Sequence, residues 1–145
     1  MSINKSNINL AKYELNKKIP FSDLDKSIFQ NPQISSNDSI LKDCYLFLED
    51  INDINNPKLN LKIGYLSEDS SMSIYLPKIT HFLNLKLTNS GKSTVILKSG
   101  VRGTWSMRTY NNSSVTIGKI EWPCNVTLYC EPEGEINIED YCMFS

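Results

Sequence analysis

The chain has 145 residues, of which 40% are hydrophobic, and its fifteen basic residues nearly balance its sixteen acidic residues. This length supports one domain with a real core and is too short for two comfortable ones. No apolar run approaches the roughly twenty residues that cross a bilayer, and the polar start MSINKSN lacks the core of a signal peptide. We therefore expect a cytoplasmic protein without a membrane span.

The first part of the chain, residues 1–58, is predicted to form an N-terminal cap with short helices and a linker. Four apolar residues at helical spacing before Pro20 predict a short amphipathic helix: Ile8, Ala11, Leu15 and Ile19. Ser22 followed by Asp25 is typical of a capped helical turn. Residues 30–40 have the composition of a linker, and residues 44–48 form an apolar run that is either a last helical turn or a first strand.

The second part of the chain repeats two apolar residues separated by one other residue, and each pair starts ten or eleven residues after the last. The pairs are Ile74/Leu76, Leu85/Leu87, Val95/Leu97, Trp105/Met107, Val115/Ile117, Val126/Leu128 and Ile136/Ile138. Side chains two positions apart lie on one face of a strand. Strands twenty or twenty-one residues apart should then stack as a mostly β chain, a single β-solenoid over residues 59–145.

Two details complete this fold prediction. Leu61 and Ile63 resemble one more pair, but thirteen residues separate them from the next, which predicts an irregular first rung. The first rung of a solenoid exposes unpaired backbone groups and invites edge-to-edge association, so a short helical or irregular cap in front of it is physically sensible.

Charge along the solenoid is unevenly distributed. Seven bases run without an intervening acid: Lys78, Lys86, Lys92, Lys98, Arg102, Arg108 and Lys119. Six acids follow without a base: Glu121, Glu131, Glu133, Glu135, Glu139 and Asp140. The pattern indicates either a basic face for an anionic ligand or a solvated surface whose signs cluster. No nucleic-acid partner is predicted, because the chain has no groove-reading motif and no regular interleaving of basic and aromatic residues.

No catalytic or metal-binding constellation can be assembled from the sequence. Residues 91–94 read GKST, but the glycine that a phosphate loop needs five positions earlier is Lys86, and Val95 begins a predicted strand instead of a helix. His81 is the single histidine and has no patterned acid or nucleophile near it. The cysteines, Cys44, Cys124, Cys130 and Cys142, lack zinc-site spacing and are interpreted as reduced residues, two of them in the core.

The segment from Ile136 to Ser145, INIEDYCMFS, resembles a coil of the hexapeptide-repeat acyltransferases, left-handed β-helix enzymes that often read I-x-I-G-x-D-C-M-F-S at this point. Ile138, Glu139 and Cys142 fit the repeat pattern. The resemblance implies a left-handed β-helix, acyl transfer from acetyl-CoA as co-substrate to a sugar hydroxyl in bacterial surface polysaccharide, and a homotrimer with sites between subunits.

In that family the base is a histidine soon after this segment, whereas the sequence stops at Ser145. The resemblance therefore implies the N-terminal portion of a sugar O-acetyltransferase, inactive alone, with no cofactor in this chain and no catalytic residue among those present. Two other functions stay open. One is a self-associating scaffold that stacks through Ile136, Ile138, Cys142 and Phe144 at an open C-terminal end. The other is a carbohydrate-binding module with four aromatic platforms: Tyr75, Trp105, Tyr110 and Trp122.

Overall fold

A computed structural model of the protein describes residues 18–143, and these residues form a β-solenoid with two sheets. The first sheet contains, in spatial order, β1 (Lys18–Pro20), β2 (Tyr45–Leu48), β4 (Ser71–Leu76), β6 (Lys92–Leu97), β8 (Ser113–Ile117) and β10 (Glu135–Ile138). The second contains β3 (Leu59–Leu66), β5 (Leu83–Asn89), β7 (Gly103–Thr109) and β9 (Asn125–Cys130). Neighbouring strands are parallel, except that β1 runs antiparallel to β2. The chain thus crosses from one sheet to the other at each step along β2 to β10.

The predicted apolar pairs face the inside of the solenoid and stack in register, which confirms the fold prediction. In the second sheet Leu85 lies beside Trp105, and Trp105 lies beside Val126. In the first sheet Val95 lies beside Val115. The pairs from β4 to β8 are buried, whereas those of β9 and β10 are half-buried and pack against the same core. Each inward column is therefore continuous through successive coils, and its burial decreases at the last one.

The first rung of the second sheet contains an irregularity, as the sequence predicted, but its inward pair is in register. Leu61 and Ile63 pair in register with Leu85 and Leu87 of β5 and are buried. The register shifts only after Ile63, at Gly64. A bulge of this kind accommodates one extra residue and leaves the inward pair in place, so the wider spacing before Ile74 does not disturb the ladder.

The N-terminal cap contains more ordered structure than the sequence indicated. The linker prediction for residues 30–40 was wrong, because two short helices lie there, α1 (Pro32–Ser35) and α2 (Asp38–Leu41). The side chains of Asn31 and Asn37 cap them by accepting hydrogen bonds from backbone N–H groups. Residues 44–48 contain a strand, β2, so parallel pairing begins before the predicted boundary at residue 58. The amphipathic helix predicted before Pro20 lies mostly outside the described residues, and its last positions belong to β1.

Short 3-10 helices fasten the cap to the first coils. They span Phe21–Asp23, Lys26–Ile28 and Ile51–Asn55. The side chain of Asp25 caps the second of them by accepting from the Ser27 N–H. The Gln30 N–H donates to the carbonyl of Ile63 in β3, and the buried Asp53 carboxylate accepts from the Ile79 N–H at 2.7 Å. The cap thereby covers part of the first edge strand of the second sheet. Among residues 18–143, no helix has the length and apolar character needed to span a membrane.

Candidate functional site

A cleft in the described structure lies where loops leading from the first sheet to the second stack on one another. These loops comprise residues 49–58, 77–82, 98–102 and 118–124. Backbone hydrogen bonds tie them together: the Gly103 N–H donates to Phe82 O at 3.0 Å, the Thr104 N–H to Cys124 O at 2.7 Å and the Ile120 N–H to Gly100 O at 3.2 Å. The cleft has a volume of about 330 Å³, and its lining includes Lys58, His81, Phe82, Arg102, Thr104 and Cys124. No acidic residue of the described chain lines it.

The side chains of His81 and Arg102, which the sequence pattern did not connect, contact each other in this cleft. Arg102 Nη2 lies 2.9 Å from His81 Nε2. A guanidinium group can only donate, so the imidazole nitrogen accepts, and the ring is neutral with its proton on Nδ1. Burial lowers the pKa of His81, and the positive charges of Arg102, Lys58 and Lys119 lower that pKa further. Every charge that contributes to this pKa shift is a cation, which makes the cleft electropositive.

A hydrogen bond to its backbone carbonyl holds Arg102 in place. Its carbonyl accepts a hydrogen bond from Trp105 Nε1 at 2.8 Å and lies 3.8 Å from Cys124 Sγ. Trp105 is fully buried in the ladder, so it fixes this backbone carbonyl to the core. The Nε of Arg102 is itself buried and has no hydrogen-bond partner among the described residues. An unpaired buried donor is uncommon and costly, and here it belongs to a charged group beside an open cleft.

The cleft also contains a thiol, but the geometry does not make it a nucleophile. Burial raises the pKa of Cys124, which keeps the group in its neutral thiol form at neutral pH. The Nε2 lone pair of His81 is already engaged by Arg102. A histidine whose acceptor nitrogen is occupied cannot take a proton from a neighbouring thiol without first leaving Arg102. The cleft is therefore suited to holding an anion rather than to covalent chemistry.

The remaining members of the basic run do not form one face. Lys78 forms a salt bridge with Asp50 at 3.1 Å on the surface of the cap. Arg108 lies over the ring of Tyr129 on the outer side of the second sheet, at 5.4 Å from its centroid, and shares a shallow groove with Lys86. The bases are thus distributed over both sheets and their loops, and Arg102 and Lys58 are the cations that line the loop cleft.

The aromatic platforms predicted from the sequence are also separated. Trp105 is 0% exposed and cannot stack on a ligand. Tyr75 stacks on Phe47 with ring centroids 4.4 Å apart on the outer side of the first sheet. Trp122 is 64% exposed in the loop before β9, and Tyr110 lines a different surface pocket. These positions do not assemble into one carbohydrate-binding surface.

Other candidate chemistry from the sequence has structural roles. In the GKST segment, Gly91 occupies a turn with φ of +82°, Lys92 begins β6, and Ser93 is buried. The segment therefore forms a turn and a strand, not a phosphate loop. The cysteines among residues 18–143 are all free, and no group of three or more potential metal ligands occurs in that part of the chain.

Together, these features define the described chain as a capped β-solenoid with an electropositive cleft among its loops. Comparison with protein-family models, with curated proteins and with solved structures gave no match.

Proposed function

We propose that the chain forms the first coils of a sugar O-acyltransferase of the hexapeptide-repeat type, whose acceptor base and acyl-donor surface lie on coils beyond Ser145. The proposed reaction transfers acetyl from acetyl-CoA to a hydroxyl of a bacterial surface polysaccharide or its precursor. In this proposal the chain alone is inactive, and the complete enzyme is a cytoplasmic homotrimer. We also propose that the coils are left-handed.

The observation that carries the proposal is the position of the segment that resembles the acyltransferases. Ile136 and Ile138 stack on Val115 and Ile117 in β8, in parallel and in register. The carbonyl of Ile138 accepts from the Gly118 N–H at 2.7 Å, so the turn after β10 repeats the turn of the coil before it. The described part of the resembling segment, residues 136–143, thus adds one strand and the turn after it to the solenoid in register, which is compatible with the family's repeat.

Two further observations support the proposal. Val126, Leu128, Ile136 and Ile138 are only half-buried, and this apolar surface is the one on which a following coil would stack. The cysteines of residues 18–143 are free, as is usual in the reducing cytoplasm where sugar-nucleotide and acetyl-CoA chemistry takes place.

The first prediction concerns activity. The 145-residue chain should transfer no acetyl group from acetyl-CoA to simple sugars, because the described residues hold no free histidine base next to a nucleophile. The measurement is release of free coenzyme A, read with a thiol reagent after correction for the chain's own cysteines. Robust turnover would contradict the assignment of the base to a later coil.

The decisive companion experiment reads the gene beyond the Ser145 codon. The proposal expects a frame that continues into an Asp-x-His segment and further coils. That longer protein should release coenzyme A in the presence of an acceptor sugar, and replacement of its new histidine by alanine should abolish the release. Arg108→Gln in the longer protein is the control and should retain turnover, since Arg108 lies over Tyr129 on the outer side of the second sheet.

A second candidate, self-association, is favoured by the open last coil. Among residues 18–143, no strand pairs with the outer edges of β9 and β10. Unpaired edges with half-exposed apolar side chains readily accept another strand. The cap covers part of the opposite end, at Ile63 of β3, so this candidate pairs two copies through their last coils.

The last coil is also acidic, with Glu131, Glu133, Glu135, Glu139 and Asp140 exposed around it. Pairing through this end should therefore strengthen as salt screens their repulsion. Light scattering against concentration at low and high salt measures this effect. A discrete dimer that is favoured by salt supports self-association, whereas a monomer under all conditions excludes it.

A further inference from the structure

We propose that the loop cleft is a binding site for a phosphate group, either free or carried by a small organic molecule, with Arg102 as its principal ligand. The inference stands apart from acyl transfer, because it depends only on the described loops. It assigns a role to a histidine, an arginine and a cleft that the proposed function does not use.

Arg102 has hydrogen-bond donors that the described chain does not use. Its guanidinium donates to His81 through one terminal nitrogen, and its Nε is buried without a partner. The group is permanently charged, and in the described chain no carboxylate forms a salt bridge with it. A planar guanidinium with unused donors matches the oxygens of phosphate, which accept charge-assisted hydrogen bonds.

The surroundings of Arg102 are positively charged. Lys58 lines the same cleft, and its Nζ donates to the carbonyl of Thr80 at 3.4 Å, which directs the ammonium group toward the cleft loops. Lys119 lies close enough to contribute to the lowered pKa of His81. With no acidic side chain in the lining, these cations raise the local concentration of anions. Two lining cations balance the two charges of a phosphate near neutral pH.

The cleft also offers contacts for the organic group that carries the phosphate. Phe82 is 68% exposed at the cleft, and a large exposed aromatic ring is a platform for the flat face of a sugar or base. Asn84 Nδ2 donates to Thr104 Oγ1 at 3.1 Å, which leaves that hydroxyl's own proton available to a ligand. The volume of about 330 Å³ accommodates a phosphorylated monosaccharide better than a larger polymer.

The site contains its own spectroscopic reporter. The chain has two tryptophans, so a proton–nitrogen correlation spectrum shows two indole signals. Trp105 Nε1 donates to the backbone carbonyl of Arg102, whereas Trp122 is exposed in the loop before β9. A phosphate held by Arg102 should shift the Trp105 indole signal in a saturable way at constant ionic strength. The Trp122 signal reports non-specific effects of the added salt.

The test titrates inorganic phosphate and glucose 6-phosphate into the full chain, with glucose and sodium chloride as controls. We expect Arg102→Gln to lose the saturable shift and Arg108→Gln to keep it, because Arg108 lies over Tyr129 on the outer side of the second sheet. Lys58→Gln changes an exposed side chain and should weaken binding about tenfold, the size expected for one charge-assisted hydrogen bond. The Lys58→Gln variant provides a second test of the site if Arg102→Gln fails to fold.

The two phosphate sources are distinguished by their relative affinities. Tighter binding of glucose 6-phosphate, reduced to the level of inorganic phosphate by Phe82→Ala, assigns the site to a phosphorylated sugar. Equal binding of the two assigns it to free phosphate and also supports the site. The proposal is overturned if neither compound gives a saturable shift, or if a folded Arg102→Gln binds like the parent. Where Arg102→Gln fails to fold, parent-like binding by Lys58→Gln overturns it.

Discussion

Replacement of Leu87 by aspartate is expected to unfold the solenoid. Leu87 is 0% exposed, and it lies in register between Ile63 of β3 and Met107 of β7. Both in-register neighbours are buried apolar side chains, which offer a carboxylate no charged partner. An uncompensated buried charge costs several kcal/mol, in addition to about 2 kcal/mol for the lost apolar burial. This approaches the total stability of a typical domain, about 5 to 15 kcal/mol.

Leu128→Asp is the matched control for Leu87→Asp, because it changes the same column at its last position. Leu128 of β9 lies beside Met107 of β7 but is only half-buried. Its carboxylate can reach water, and the damage should stay within β9 and β10, since each coil contacts mainly its neighbours. Urea unfolding followed by circular dichroism measures both variants. If Leu87→Asp has the same midpoint as the parent, or if the two variants lose equal stability, the inward column does not determine the fold.

The ladder could be predicted from the sequence because one physical requirement recurs at every coil. Each strand must place two aliphatic side chains inside, and the turns return the chain after nearly constant intervals, so the pattern survives in one dimension. Pairs such as Val95/Leu97 and Val115/Ile117 accordingly occupy the predicted inward positions. The irregular spacing after Leu61 and Ile63 includes a bulge, which changes sequence spacing without changing which residues face inward.

The cap was harder to predict because its short elements depend on local caps and on packing against the first coils. Helices of four residues, such as Pro32–Ser35, show no periodicity. What indicates them is the side chain of Asn31 accepting from the backbone of Gln33, together with the buried face of Ile34. A polar stretch of this composition is equally typical of a linker, so sequence alone favoured the wrong interpretation.

The loop cleft escaped sequence analysis for a different reason. His81 and Arg102 are twenty-one residues apart, and equivalent positions of successive coils are twenty or twenty-one residues apart, so the solenoid repeat places the two residues on neighbouring loops. The same spacing, applied once more along the chain, gives Pro123 and Cys124, which also line this cleft. The unpaired Nε of Arg102, however, depends on how the loops fold over the side chain, and no residue pattern indicates it.

A buried polar cluster at another corner of the solenoid supplies the second large prediction. The side chain of Asn89 is 0% exposed. Its Nδ2 donates to Ser70 Oγ at 3.1 Å and to Gly91 O at 2.9 Å, and its Oδ1 accepts from Ser93 Oγ at 2.6 Å and from Thr109 Oγ1 at 2.9 Å. One amide thus satisfies groups from three successive coils. Because all four of its bonds are made, the cluster stabilises the corner despite its burial.

Asn89→Asp preserves the shape of the side chain but removes both donated hydrogen bonds and buries a negative charge. We expect a loss of about 3 to 5 kcal/mol at neutral pH. Burial should raise the pKa of this carboxyl above its unfolded value of about 3.9, so the folded variant binds its proton more readily than the unfolded chain. The variant's deficit relative to the parent is therefore largest above the folded-state pKa and shrinks as the pH falls toward 4.

Asn111→Asp is the matched control for this substitution. Asn111 is exposed in the turn before β8, and its side chain only accepts, from the Lys92 N–H at 3.0 Å. A carboxylate retains that role and remains in water, so this variant should differ from the parent by less than about 1 kcal/mol. Urea unfolding of both variants at pH 7.5 and 5 measures the effect. If Asn89→Asp and Asn111→Asp lose equal stability, or if the deficit of Asn89→Asp does not shrink at the lower pH, the buried amide does not hold the coils together in the way its hydrogen bonds indicate.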